Sequence, residues 1–260
     1  MTFDIESGAL SLVRDHEARE RFRPLDGLPD LAAAYRVQHA YVRRIIGDDE
    51  VAGYNTGYKI GLTSHRMQTM CGISHPIAGV VFGKRVKQSG TTLRIADYAH
   101  LGLEFEICAR IGRDLPTQSS AYARTDIDGA IDSVCAAIEL VDDRQADYAK
   151  LDVRTLVADN SWNAGIVLSS FVPPPASLEK VEAVVCQDGV EAGRGIGADA
   201  LGHPFEPVVW LANHLAVDGV GLKKGDLVMT GSIVRTCFPE KPFSSRFEVS
   251  QLGCVEVCGV

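Results

Sequence analysis

Apolar residues recur at helical spacing early in the chain and in short β-like runs after it. Over 30–46, Leu31, Ala34, Tyr35, Val42 and Ile45 fall on one face of a 3.6-residue repeat, with Asp30 placed to cap the first turn. A charged helix over about 5–22 precedes it. Beyond Gly53 the pattern changes to β-branched and alternating runs separated by glycines, at 79–82, 103–111, 164–168, 181–186, 227–230, 246–249 and 254–258. Two further helices are predicted. One covers 126–137 with Asp126 at its start, and the other covers 207–217 with proline in its first turn and Gly219 just past its end. Few helices among many short strands, without regular alternation, predict an α+β fold rather than a doubly wound sheet or a TIM barrel. The organisation expected is a helical N-terminal part at 1–75 and a β-rich catalytic domain at 76–260.

Composition narrows the class. The chain has 260 residues, 46% of them hydrophobic and 23% charged, which suits one large globular domain or a core with a small appendage. No apolar run approaches the roughly 20 residues of a membrane span. The first residues carry Asp4 and Glu6 and no basic cluster, unlike a secretory signal. With 34 acidic against 26 basic side chains the net charge is −8, which argues against nucleic acid and against an anionic membrane as partners. An anionic small molecule stays compatible, because a local cation or metal reverses the field at a site. Seven cysteines without a C-x-x-C pair read as reduced packing residues of a cytoplasmic protein.

Several residues stand out chemically. In the run 103–111, Phe105, Ile107, Ala109 and Ile111 share one strand face, which leaves Glu104 and Glu106 side by side on the other. Two like charges there call for solvent or for a cation between them. Glu139 stands alone in Ala136-Ala137-Ile138-Glu139-Leu140-Val141, where an acid needs a partner. Arg144 is one option; service as a third ligand to the ion at Glu104 and Glu106 is the other. Three carboxylates without histidine or cysteine at ligand spacing would favour Mg²⁺ or Mn²⁺ over zinc. Lys59, set among glycines and apolar residues, reads either as a snorkelling surface lysine or as a held cation that meets a carboxylate or an enolate oxygen. Gly195-Ile196-Gly197-Ala198-Asp199-Ala200 imitates a dinucleotide-binding turn. His203-Pro204 would interrupt the required helix, so no cofactor is expected there. His65, His75 and His203 lie in loops.

Six blocks in order carry a resemblance from about Leu31 to the C-terminus. They are Tyr58-Lys59-Ile60-Gly61-Leu62-Thr63-Ser64, Leu103-Glu104-Phe105-Glu106, Ala137-Ile138-Glu139-Leu140-Val141-Asp142, Val157-Ala158-Asp159-Asn160, Leu201-Gly202-His203-Pro204 and Trp210-Leu211-Ala212-Asn213. The chain resembles the 2-oxopent-4-enoate (2-keto-4-pentenoate) hydratase family of the fumarylacetoacetate hydrolase superfamily. The resemblance implies a mixed β-roll or barrel core with a small helical N-terminal part, and homo-oligomers. It implies Mg²⁺ or Mn²⁺ held by Glu104, Glu106 and Glu139, with Lys59 catalytic. It further implies water addition to a small 2-hydroxy-2,4-dienoate (2-oxo-4-enoate), giving a 4-hydroxy-2-oxo acid. Ser64, Asn160, Trp162 and Ser232 are the expected substrate contacts. Many relatives place an aspartate where this chain has Ile77, which leaves His75 as the substitute water-activating base. Trp162 is bulkier than the residue usual there, and as a cavity wall it would favour short or apolar tails. The rival readings are a 2-oxo-3-enedioate (4-oxalocrotonate-type) decarboxylase, an acylpyruvate hydrolase and a non-catalytic scaffold subunit.

Overall fold

A computed structural model describes residues 3–47 and 55–260; the change of pattern placed just after Gly53 lies outside them. The N-terminal part holds α1 (Ile5–Glu17) and α2 (Leu31–Ile46). Asp4 caps α1 and Asp30 caps α2, each carboxylate accepting from first-turn backbone N–H groups. The first helix is shorter than its charge pattern suggests, because Arg19 turns into the left-handed region (φ 53°). Phe22 then leaves the helix to enter the core.

The chain continues with β1 (Asn55–Gly61), α3 (His65–Met70), β2 (Ile77–Phe82), β3 (Val86–Gln88), β4 (Thr91–Leu93), β5 (Leu101–Ile111), α4 (Arg124–Asp128) and β6 (Ile131–Asp142). After these come α5 (Val153–Ala158), β7 (Asn163–Leu168), β8 (Glu182–Gln187), β9 (Val190–Ile196), α6 (Glu206–Val217), β10 (Leu227–Cys237), β11 (Phe243–Val249) and β12 (Gly253–Gly259). Two mixed sheets form. The larger runs β2-β1-β10-β5-β6-β7-β3 and the smaller β4-β12-β11-β8-β9. Both are open, so the fold is the expected α+β roll and not a closed barrel. They pack through β5, β6 and β10 of one sheet and β9, β11 and β12 of the other, with the Phe105 and Phe247 rings 5.4 Å apart at the centre. β1 is an inner strand of the larger sheet, parallel to β10 and antiparallel to β2, although it precedes the division expected at 75/76.

One expected helix is not formed. The helix here is Arg124–Asp128, so only 126–128 of the expected 126–137 is helical, and Ile131–Asp142 is a strand. Ile127, Ile131 and Val134 do sit at helical spacing, but Gly129 ends the helix after one turn. From Val134 to Val141 every residue is buried, since β6 lies between β5 and β7 with both faces covered. Such a strand shows a continuous apolar run without alternation, which sequence periodicity alone cannot separate from a helix. At the dinucleotide look-alike no long helix forms. β9 enters a short 3-10 turn, Gly197–Asp199, and a Cβ on Gly195 would lie 1.8 Å from the Ile233 carbonyl oxygen. These glycines serve close backbone approach.

All seven cysteines are free. Cys108 and Cys135 face each other in register, buried, whereas Cys258 is exposed and does not pack. No helix among the described residues is long and apolar enough to cross a membrane.

Candidate active site

Strand pairing assembles the site. Glu104 of β5 lies directly opposite Glu139 of β6, and Glu106 follows two residues later on the same face of β5. The three side chains each offer a carboxylate oxygen, and these oxygens lie within 4.8 Å of one another. Glu106 and Glu139 are fully buried, and Glu104 is half-buried. Each is oriented by one donor. The Gly231 N–H donates to Glu106 Oε2 (2.7 Å), Asn163 Nδ2 to Glu139 Oε1 (2.9 Å) and the Thr236 hydroxyl to Glu104 Oε1 (3.3 Å). Gly231 is required at its position, since its φ is +99° and a Cβ would sit 2.1 Å from Thr63 Oγ1.

Two oxygens of this cluster, Glu106 Oε1 and Glu139 Oε2, are buried without a hydrogen-bond partner. Lys59 reaches in from β1, 4% exposed, with Nζ 3.3 Å from Glu139 Oε2 in an ion pair lacking hydrogen-bond alignment. The lysine is therefore a held cation and not a snorkelling one. Burial pulls its ammonium down, but the carboxylates of Glu139, Glu104 and Glu106 outweigh that and hold it above its ordinary value. Burial first, and then repulsion from Glu139 and Glu104, pushes the Glu106 carboxyl well above the usual carboxylate range. Burial also raises Glu139, to about 7, against the pull of Lys59. Three acids share this space with one ammonium, so the cluster carries excess negative charge away from water whenever all three are ionised.

Beside the cluster lies a cavity of about 600 Å³. Lys59 and Glu104 open onto it, as do Ser64, Trp162 and Ser232. Ser64 also caps α3, accepting from the Met67 N–H (3.3 Å), and Ser232 bonds the backbone of Phe105 and Val234. Trp162 packs edge-on against Phe22 and Tyr148 while lining the cavity.

Two expected site residues, the substrate contact Asn160 and the base His75, lie outside the cavity lining. Asn160 is 1% exposed, and its amide spans the backbone of Val80, accepting from the N–H (2.7 Å) and donating to the carbonyl (2.9 Å). Its amide is thus engaged by β2, and Asn160 lies outside the cavity lining. His75 lies outside the cavity lining, with Nδ1 2.7 Å from the Pro76 carbonyl oxygen and its ring stacked on Trp210. It is not positioned as a base for water. Ile77, two residues on, does line the cavity.

Asn160, Ser161 and Trp162 are consecutive non-glycine residues at positive φ (51°, 50° and 60°), a conformation that costs roughly 1–2 kcal/mol per residue. Surrounding structure holds it: the Asn160 amide grips β2, and Ser161 Oγ donates to the Ala78 carbonyl (3.2 Å). Asp159 before the turn is buried between Arg144 Nη2 and His16 Nε2, both at 2.6 Å. Arg144, an expected candidate partner for Glu139, is thus committed to Asp159. The supporting donors Asn163 and Thr236 were not among the expected site residues. Asn163 sits beside Trp162 in sequence, but nothing in the sequence marks Thr236.

Similarity to known proteins agrees with this geometry. Residues 61–257 match the model of the fumarylacetoacetate (FAA) hydrolase C-terminal family. A 2-keto-4-pentenoate hydratase of Paraburkholderia phymatum is 33% identical over 241 residues, covering 88% of this chain and 87% of that one. A 2-hydroxyhexa-2,4-dienoate hydratase of Comamonas testosteroni is 31% identical over 227 residues, covering 85% of each. Among solved structures, the 4-oxalocrotonate decarboxylase of Pseudomonas putida G7, complexed with magnesium and adipate, superposes with a TM-score of 0.91. It covers 100% of this chain and 99% of that one at 24% identity, a likeness of fold. The two-sheet fold and its acidic cluster thus define a member of the fumarylacetoacetate hydrolase C-terminal family, and within it the chain belongs to the 2-keto-4-pentenoate hydratase family.

Proposed function

We propose that the protein is a divalent-metal-dependent hydratase that adds water to a 2-hydroxy-2,4-dienoate, through its 2-oxo tautomer, to give a 4-hydroxy-2-oxo acid. The observation that carries the reading is the largely buried cluster of Glu104, Glu106 and Glu139, in which two oxygens have no hydrogen-bond partner. An oxygen-only donor set of excess negative charge fits a hard divalent cation, and Mg²⁺ or Mn²⁺ over zinc. When bound by these residues, the cation supplies Lewis-acid polarisation of the substrate's 2-oxygen.

The protein's own groups account for the rest. Lys59 holds its proton firmly, and its Nζ stands where the 2-oxo acid end of a substrate would meet the carboxylates. It is placed to donate to the oxygen on which negative charge develops as electrons move toward C2. Trp162, Val141 and Leu156 give the cavity an apolar wall for the diene carbons. Ser64 and Ser232 supply hydroxyls at its edge. The hydratase names of relatives above 30% identity support water addition over loss of CO₂.

The test is turnover of 2-hydroxypenta-2,4-dienoate, followed by loss of dienoate absorbance, with Mg²⁺ or Mn²⁺ and after chelation. Metal-dependent formation of 4-hydroxy-2-oxopentanoate is expected. Turnover that survives chelation, or none on any dienoate, would overturn the reading.

A further inference from the structure

The sheet face that carries the acidic cluster bears a second polar pair farther along the same two strands. Side chains two apart share a strand face, so Glu104 is followed by Gly102 and His100 on one strand, and Glu139 by Val141 and Asp143 on the other. Glu104 pairs with Glu139, Gly102 with Val141 and Leu101 with Asp142. One residue past these pairs His100 meets Asp143, with Nδ1 2.6 Å from Oδ1. Four residues of strand set this pair about 13 Å from Glu104 and Glu139. Val141, between the two pairs, lines the cavity.

Tyr148 spans that interval. It lines the cavity with Val141 and Glu104, its ring stands edge-on to Trp162 at 5.8 Å, and its hydroxyl donates to Asp143 Oδ2 (2.9 Å). Asp143 is 1% exposed and also accepts from the Gln145 N–H (2.9 Å). The neighbouring Asp142 carboxylate is turned to the backbone N–H groups of Ala99 and His100 (2.9 and 2.8 Å). The His100 side chain is half-buried and stacked on Phe238. A hydrogen-bonded chain thus leads from the cavity wall through a buried carboxylate to an imidazole with access to solvent. Because the phenol gives its hydrogen to Asp143, its oxygen lone pairs are left to accept. Burial first, then Asp143, then the charge of Glu104 raise the phenol above its ordinary value, which keeps it protonated at neutral pH. On the same wall the Trp162 Nε1–H is buried without a hydrogen-bond partner, a donor beside this acceptor.

We infer that Tyr148 is the catalytic residue that takes a proton from the attacking water and passes its own to Asp143. The assignment rests on the hydratase reading and fills the role for which His75 is not positioned. In the step a water O–H bond breaks and its proton goes to Tyr148 Oη, while the phenol proton moves to Asp143 Oδ2. The water oxygen bonds to C4 of the 2-oxo-3-enoate. The C3–C4 π pair moves between C2 and C3, and the carbonyl π pair moves onto the 2-oxygen, which the Lys59 ammonium receives. As that enolate collapses, C3 takes a proton from Tyr148, and Asp143 returns one to the phenol. One water is added, and nothing is oxidised or reduced. Asp143 and His100 are positioning residues, since they act on the substrate only through Tyr148.

Product analysis by NMR on the Mg²⁺-loaded protein separates this step from ketonisation of the dienoate, which consumes no water. Y148F should still convert 2-hydroxypenta-2,4-dienoate to 2-oxopent-3-enoate. It should hydrate 2-oxopent-3-enoate, supplied directly, about 100-fold or more slowly than the parent, the usual worth of general base catalysis, with Mg²⁺ affinity unchanged. D143N should lower kcat for hydration at least about tenfold with KM unchanged, because an amide accepts the phenol's hydrogen bond and not its proton. Hydration by Y148F at the parent's rate would overturn the assignment. Ketonisation and hydration slowed equally would overturn it too, and would make Tyr148 a wall of the cavity. A parent protein that hydrates neither compound would strike the hydratase reading itself, and the relay with it.

Discussion

Glu106→Gln separates what the acidic cluster costs the fold from what it provides. The substitution keeps shape and leaves an oxygen to accept from the Gly231 N–H, now bonded to Glu106 Oε2 at 2.7 Å. Its amide then donates toward the carboxylates of Glu104 and Glu139. Two unit charges 4.8 Å apart repel by about 3.5 kcal/mol at an effective dielectric of about 20, and Glu106 faces two such neighbours against one ammonium. After local relaxation, removing one buried charge should stabilise the metal-free protein by about 1–3 kcal/mol. At about 2–4 °C per kcal/mol for a chain of this size, that raises Tm by roughly 2–12 °C.

The pH dependence has a definite sign. Burial and the neighbouring acids raise the folded-state affinity of Glu106 for a proton, so its ionisation costs stability progressively as pH rises above the ordinary glutamate range. The variant's advantage should therefore be small near pH 5 and largest in mildly alkaline solution. Metal should reverse the ranking. Loss of a residue that merely orients a ligand typically costs 10–100-fold in metal affinity, so loss of a ligand itself should cost at least about 100-fold. Thermal melts in EDTA and in Mg²⁺ across pH, with calorimetric Mg²⁺ titration, measure both. A metal-free variant less stable than the parent at alkaline pH, or one that Mg²⁺ stabilises as strongly as the parent, would refute the reasoning.

Lys59→Met should lower kcat about 100-fold or more while Mg²⁺ affinity is retained; an unchanged kcat with a higher KM would mean that the amine only clamps the substrate carboxylate. Asn160→Ala should destabilise by about 2–4 kcal/mol in chemical denaturation, because it strands the buried Val80 N–H and carbonyl and leaves alanine at positive φ. Asp159 is raised by burial but held net below the usual carboxylate range by His16 and Arg144, so its contribution is present above that range and lost as pH falls through the depressed value. Arg144→Met, which leaves Asp159 buried beside His16 alone, should cost about 3–5 kcal/mol at neutral pH, and acid melts should show the parent resisting to lower pH. Trp162→Ala should widen acceptance of longer dienoates, measured as kcat/KM across tail lengths; an unchanged profile would make the ring a packing residue only.

The acidic cluster was legible in the chain because a strand repeats every two residues. Glu104-Phe105-Glu106 declares two acids on one face, and Glu139 in an apolar run declares a buried acid in need of a counter-charge. The helix starts at Asp30 and at Pro207 were legible for the same local reason: the Asp30 carboxylate satisfies a first-turn N–H, and a proline in the first turn lacks an N–H that would go unpaired there. Long-range pairing was not legible. Whether 131–137 is helix or strand depends on β5 and β7 covering both of its faces. Whether Arg144 or Lys59 faces Glu139 depends on β1 joining the sheet beside β10, and on Asp159 capturing the guanidinium first. Asn160 and His75 carry groups suited to substrate binding, and only packing shows that β2 consumes the one while a backbone carbonyl and Trp210 hold the other outside the cavity. Between Met229 and Cys237 β10 carries three more residues than the stretch of β5 it pairs with, a register decided between strands more than a hundred residues apart. Local chemistry is encoded within a few residues of each side chain, whereas the partner of each buried charge is decided by which distant strand lies beside it.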